Sequence, residues 1–207
     1  MPYLLQWSPH DHRHIEWSPF RDQDGKMILP KKYYMPKNIP DKSTWPIRLK
    51  QVTKHKVLPD ICPGLSSMTF YVSKKLKEMI EEWDPVAHVF VPLEITVASG
   101  EVQNGSYFMF KFGSFIEGGL VEDKSDVARV SFPPHDDISK GEFRYFESTK
   151  LTPKLTWYAS KIAGRHIWAD SMLDRDVCIS DEFAAELKAQ KIKHITLTEG
   201  YIEDDFA

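Results

Sequence analysis

The sequence predicts an α+β fold: mainly antiparallel sheet, two amphipathic helices and a Pro/aromatic-rich N-terminal lobe. Three observations carry this expectation. Short apolar runs bounded by Gly, Pro and acidic turns outnumber helical stretches. Helical spacing is clear in one segment, where Leu76, Met79, Ile80 and Trp83 form a single stripe, and a second helix opens at Asp181. Val86–Ala98 and Ser106–Phe112 are strand-like runs with turn residues between them, the pattern of an antiparallel hairpin.

Tyr3–Trp7 is expected as the first strand. After it, Pro9, Pro19, Pro30, Pro36, Pro40 and Pro46 exclude a long helix, because each removes a backbone donor and fixes φ. Trp17, Phe20, Tyr33, Tyr34 and Trp45 favour an ordered lobe over a flexible arm, since so many large aromatics are costly to expose. The turn Asp60–Gly64 sets the expected boundary. Residues 1–60 form the loop-and-strand lobe and residues 61–207 the α+β domain, unless the two are continuous.

Ser73 is suited to cap the first helix, and Asp84-Pro85 to end it. Lys74 and Lys75 are poorly placed against its dipole. Ser99-Gly100 and Asn104-Gly105 are both turn signals within the hairpin. In its return strand Tyr107, Met109 and Lys111 alternate with Phe108, Phe110 and Phe112. Further strands are expected at Phe115–Val121, Val127–Phe132, Arg144–Glu147 and Lys154–Lys161. Ser180 caps the second helix, with Asp181 and Glu182 at its positive end and Lys188, Lys191 and Lys193 towards the other. Ile195–Leu197 is the closing strand, and Glu199–Ala207 an acidic tail. The two serine-capped helices echo each other: each follows a short apolar strand end, Tyr71-Val72 in one case and Cys178-Ile179 in the other.

With 207 residues, 42% of them hydrophobic, the chain can bury one core, or a core and a smaller lobe. Residues 1–60 hold eleven Lys/Arg against six Asp/Glu, and residues 121–207 twelve against seventeen. A basic front and an acidic back argue against a dedicated nucleic-acid binder and suit a protein that meets a basic partner through its C-terminal half. Cys62 and Cys178 are too few for a disulfide framework and are expected as buried, reduced thiols. The most apolar run, Val86–Ala98, is interrupted by His88, Pro92 and Glu94 and is too short to span a bilayer. A cytoplasmic protein with neither nucleic-acid nor membrane partner is the expectation.

Candidate chemistry is sparse. His10, His12 and His14 would share one face of a strand and could hold a metal, but Pro9 and Arg13 favour a solvated turn. His135-Asp136-Asp137 lacks the further ligands that a metallo-hydrolase requires. Neither Ser73 nor Ser180 lies in a nucleophile elbow, and Cys178 lies in an apolar strand. Gly113 and Gly118-Gly119 do not form a phosphate-cradling loop. His166, Trp168 and Asp170 could edge a pocket. A structural anchor explains them better, with Trp168 buried and the other two hydrogen-bonding locally. No catalytic residue, metal or cofactor is expected.

Two ordered segments resemble a family of bacterial immunity proteins, immunity family eleven, formerly a domain of unknown function and encoded beside polymorphic toxins. The first is Phe70-Tyr71-Val72-Ser73-Lys74-Lys75-Leu76-Lys77 followed by His88-Val89-Phe90-Val91-Pro92-Leu93-Glu94. The second is His166-Ile167-Trp168 followed by Cys178-Ile179-Ser180-Asp181-Glu182-Phe183. The resemblance covers residues 65–200 and matches the front lobe only loosely. Ser73, Trp83, His166, Trp168, Asp170, Ser180, Phe183 and Leu187 are its structural signature in this chain. It implies a non-enzymatic protein that binds and neutralises a cognate toxin domain. Members often carry a glycine in the turn after the second helix, where this chain has Lys191-Ile192-Lys193.

The acidic groups Glu122-Asp123-Asp126, Asp136-Asp137 and Glu203-Asp204-Asp205 are candidate steering charges for such a partner. Two other functions are kept beside this one. One is a small metal-dependent hydrolase using His10, His12, His14 or His135 and Asp136; the other is an adaptor with an unrelated partner.

Overall fold

The computed structural model describes residues 1–7, 17–19, 47–51, 59–63, 69–85, 88–97, 99–113, 115–132, 143–150, 153–171, 173, 177–193 and 195–203. Its elements open with β1 (Tyr3–Trp7), β2 (Trp17–Pro19), β3 (Ile47–Gln51), β4 (Ile61–Pro63) and β5 (Thr69–Ser73). There follow α1 (Lys74–Trp83), β6 (Val89–Thr96), β7 (Val102–Lys111), β8 (Phe115–Ile116), a 3-10 turn (Glu122–Lys124), β9 (Val127–Phe132) and β10 (Phe143–Ser148). The chain continues through β11 (Thr156–Tyr158), α2 (Ala159–Ile162), β12 (Ile167–Asp170), β13 (Val177–Ile179), α3 (Asp181–Ala189), β14 (Ile195–Glu199) and β15 (Tyr201–Glu203). Strand dominates and helices are few, as an α+β fold requires. Most pairings are antiparallel, and β3–β6, β12–β8 and β11–β15 are parallel.

Two compact units are present. One comprises Met1–Gln6, Ser114–Ala189 and Leu197–Ala207; the other comprises Trp7–Gly113 and Gln190–Thr196. Residue 60, where the sequence suggested a lobe boundary, lies within the second unit. The expected front lobe lies mostly outside the described residues.

The second unit is built on a six-stranded sheet of order β2-β3-β6-β7-β5-β4. Alternation along β5, β6 and β7 gives it two apolar faces. Tyr71, Val91, Leu93, Ile95, Tyr107 and Met109 cluster with Leu49 and Cys62 on one. Phe110 stacks with Phe70 and Phe90 on the other. Helix α1 buries Leu76, Met79 and Ile80, and its Lys77 lies over the rings of Phe90 and Phe108. The expected turn at Asp60–Gly64 is instead the strand β4, antiparallel to β5. Pro63 ends that outermost strand, where a missing N–H breaks no ladder.

The β6–β7 hairpin turns at Val97–Glu101, with Gly100 at φ 90° and its N–H on the carbonyl of Val97. Asn104-Gly105, also expected as a turn, lies inside β7. There the register passes from Leu93↔Tyr107 to Glu94↔Asn104, so Gly105 and Ser106 form a bulge, with Gly105 at φ 69°.

The first unit holds a five-stranded sheet of order β14-β1-β13-β12-β8 and the pairs β10-β9 and β11-β15. Its core gathers Leu4, Ile116, Leu120, Leu155, Trp157, Ile162, Trp168, Leu173 and Cys178. The stretch Lys154–Lys161, expected as one strand, divides into β11 and the short helix α2. The segment Glu199–Ala207, expected as a tail, includes strand β15. After α3 the chain turns through Lys191 at φ 55°, so this lysine adopts the left-handed conformation usually left to glycine.

Both helix-capping serines are held in the same way. Ser73 Oγ accepts from Leu76 N–H and donates to Asp60 Oδ1 at 2.6 Å, while Ser73 N–H donates to the carbonyl of Asp60 at 2.8 Å. Ser180 Oγ accepts from Phe183 N–H and lies 3.1 Å from His166 Nδ1, while Ser180 N–H donates to the carbonyl of His166 at 3.0 Å. Each serine is therefore gripped by the main chain and side chain of the residue opposite it. Replacing Ser73 by Ala should cost about 2 kcal/mol in denaturant unfolding, a lost cap plus a lost carboxylate bond. Replacing Ser180 should cost about 1 kcal/mol, because its partner is an imidazole. Equal, negligible losses would show that the clamps do not organise the helices.

Candidate interaction surface

The structural signature is interior. Trp168 is buried and meets Trp157 edge to face, ring centres 6.0 Å apart and planes at 88°. Among the described residues the indole N–H of Trp168 finds no acceptor, so its contribution is area and ring contact. Phe183 and Leu187 are the buried face of α3, and Trp83 is half-buried at the end of α1. His166 bonds Ser180 as described.

Asp170 is only 1% exposed, and its Oδ2 accepts from Gly119 N–H at 2.8 Å and Leu120 N–H at 3.2 Å. This draws the 118–120 loop against β12. Gly119 allows a close approach there: a Cβ would stand 2.3 Å from Ile116 Cδ1 and would have to displace that side chain. The glycine pair noted in the sequence thus serves a close approach and a carboxylate latch.

His88 is a second buried polar centre that the sequence did not single out for a role. Its Nδ1 accepts from Gly113 N–H at 3.3 Å, and its Nε2 faces Asp84 Oδ2 at 3.2 Å. The ring packs on Phe110 and Phe112. Burial holds the imidazole pKa below its ordinary value of 6.5, against the opposing pull of Asp84. The neutral ring, with its proton on Nε2, satisfies both partners at once.

The exposed candidates are the acidic groups. The 3-10 turn Glu122–Lys124 is tied to β11: Thr156 N–H donates to Ser125 Oγ at 2.9 Å, and Asp126 N–H to the carbonyl of Lys154 at 2.7 Å. Glu122 makes a two-point ion pair with Arg129, whose hydrogen bonds hold the Glu122 carboxyl below the ordinary range. Asp126 Oδ1 pairs with Lys150 Nζ at 2.8 Å, and Oδ2 accepts from Lys154 N–H at 2.9 Å. These bonds, that to Lys150 first, likewise lower its pKa. Asp123 is exposed, with no ion-pair partner among the described residues. Two of the three carboxylates in this group are therefore matched locally. Asp136, Asp137, Asp204 and Asp205 lie outside the described residues, as does the side chain of Glu203. His10, His12, His14 and His135 also lie outside them. Among the described residues no group of three or more His, Cys, Asp or Glu is placed to hold a metal ion, and no helix is long and apolar enough to cross a membrane.

What the sequence missed is the apolar part of this surface. Tyr201 and Ile202, on β15, are 46% and 48% exposed. Lys154 Nζ lies 4.6 Å from the centre of the Tyr201 ring, which joins β15 to the Asp126 group. The sequence alone places Tyr201 and Ile202 within an acidic tail, and nothing local in it marks a three-residue strand paired to a partner at Thr156–Tyr158.

The sequence model of an immunity protein family, Imm11, matches residues 7–201. The match extends through the front segment that the resemblance covered only loosely. No curated protein matches the chain.

Two measurements check the buried polar centres. Asp170→Ala leaves two buried amides without their acceptor and should lower stability by about 3 kcal/mol, measured by denaturant unfolding. A loss within error would show that the 118–120 loop is held otherwise. For His88 the unfolded chain takes up the proton first as pH falls. Its contribution is intact above about pH 6.5 and declines below that, by at most about 1.4 kcal/mol per pH unit. Unfolding free energies between pH 7.5 and 5.5 should fall more steeply for the wild-type chain than for His88→Gln. Parallel curves would contradict a buried neutral imidazole.

Proposed function

The chain belongs to the immunity protein family Imm11, and on that premise we propose that it neutralises a cognate bacterial toxin by binding the toxin domain directly. The family match over residues 7–201 carries this proposal. Inhibition by binding needs a stable scaffold, exposed anchors and charge complementary to the partner. Two cores and the clamped helices supply the first. Tyr201 and Ile202 are anchors of the kind that dominate protein interfaces.

Charge plays a narrower part than composition suggested. Glu122 and Asp126 are committed to Arg129 and Lys150, so within this group steering falls to Asp123. Carboxylates at Glu203, Asp204 and Asp205 add to it in sequence. The proposed site of action is the cytoplasm of the producing cell or its sisters, and neutralisation of this kind requires no turnover.

The test is co-expression with a candidate toxin domain from a neighbouring gene, where the family's arrangement would place it. The wild-type chain should restore growth and co-purify with that domain. Reversing Asp123, Asp204 and Asp205 to lysine should slow association at low salt, and the difference should shrink above a few hundred millimolar as screening sets in. If the wild-type chain neither restores growth nor co-purifies with the domain, the proposal is overturned.

A further inference from the structure

We infer that the outer edge of β15 receives an extended, basic segment of the toxin as an added strand, an inference that rests on the toxin-binding function proposed above. The backbone directions come first. Tyr201 N–H donates to the carbonyl of Leu155 at 2.8 Å, so this amide faces β11. The next residue in a strand turns its N–H and C=O the other way. Those of Ile202 therefore point away from β11. On its far side β11 is already flanked, by the Leu120↔Trp157 bridge and the Val121 amide on Thr156. Gly200 N–H, on the same side as that of Ile202, donates to the carbonyl of Pro2 at 2.8 Å, so the edge opens beyond that contact; among the described residues β15 pairs with β11 alone.

Two other open strand sides among the described residues carry protection. β4 ends on Pro63, and β7 beyond its pairing with β5 carries the Gly105–Ser106 bulge. Residues 201–203 hold no lysine, no proline and no bulge, and two of the three are large apolar side chains about half exposed. An edge of that composition is a template for another strand.

The form of the occupant follows from the side chains. Tyr201 and Ile202 are adjacent in a strand and project to opposite faces. A flat partner surface would cover one of them. A strand laid alongside presents alternating side chains to both faces and also takes up the free N–H and C=O of Ile202. Its charge follows from the sequence: residues 199–205 carry Glu199, Glu203, Asp204 and Asp205 and no Lys or Arg. Lys154, held at its own N–H by Asp126, covers the Tyr201 ring and supplies a polar margin.

The experiment uses the full chain and the candidate toxin domain from the neighbouring gene, with affinity by calorimetry and amide exchange by NMR. In the free chain Tyr201 N–H should be protected and Ile202 N–H should exchange fast. On binding, Ile202 N–H should become protected. Ile202→Pro, which removes the outward donor and leaves the β11 bonds, should weaken binding by at least about tenfold, as should Tyr201→Glu. A thermal melt shows that each variant folds, and the exchange measurement on the wild-type chain needs no variant. If the wild-type chain binds while Ile202 exchanges as fast as before, the edge inference is overturned and the immunity function stands. If the wild-type chain does not bind, both fall. A dimer in sedimentation that Ile202→Pro abolishes, with toxin affinity unchanged, would give the edge to a second copy of this chain and overturn the inference.

Discussion

A serine gripped at both its amide and its hydroxyl by one residue across an antiparallel pair sets the geometry of each unit. The register Ile61↔Val72 puts Asp60 opposite Ser73, and Ile167↔Ile179 puts His166 opposite Ser180. In each case the grip fixes where the strand stops and where the helix begins. A slip of one residue would break the grip and turn every side chain of the strand to its other face. The stacked phenylalanines beneath α1 and the buried Phe183 and Leu187 of α3 depend on that register. The two grips are not chemically equal. Asp60 has a second oxygen, which accepts from Lys193 N–H at 2.8 Å and secures the 190–196 segment within its unit. His166 offers Ser180 a single ring nitrogen. The echo between the two serine segments is thus an echo of construction: strand, strand, capping serine, helix.

Both capped helices were legible because their signals are local. A serine followed by an apolar stripe needs no knowledge of the rest of the chain. The same locality explains the errors. Asn104-Gly105 signals a turn because glycine tolerates positive φ, and a bulge makes the same demand, so only the register of β6 separates the two. Helix α2 follows Tyr158, which makes no side-chain cap, and nothing marks the end of β11. β15 is defined by pairing with a strand 45 residues earlier, Thr156↔Tyr201. No periodicity within three residues can disclose that.

Charge was legible as composition but not as availability. Glu122, Asp126 and Asp170 are equivalent letters in the sequence. In the structure the first is matched by Arg129, the second by Lys150 and a main-chain amide, and the third is spent on two buried amides some fifty residues away in sequence. A carboxylate that already has its partners offers little to an incoming protein beyond its place in the general field. Under the proposed function, the surface that would recognise a toxin is better located by what is unsatisfied. That criterion leads to Asp123 and to the edge formed by Tyr201 and Ile202.

The size of that edge limits what it can do alone. Complete burial of a large apolar side chain is worth about 1.5–3 kcal/mol, so the exposed halves of Tyr201 and Ile202 contribute about 1 kcal/mol each. One or two strand hydrogen bonds add about 1 kcal/mol apiece. Nanomolar affinity requires about 12 kcal/mol after the cost of association, and a standard interface covers about 800 Å² on each partner. β15 can then be the anchor that fixes register and orientation, but most of the contact area must come from the surface around it. The nearest such surface is the rigid 3-10 turn tied to β11, with Asp123 projecting from it and the Lys154–Tyr201 contact joining the two. An anchor this small also suits a protein that must stay soluble before its target arrives, since an open apolar face large enough to bind tightly by itself would also associate with itself.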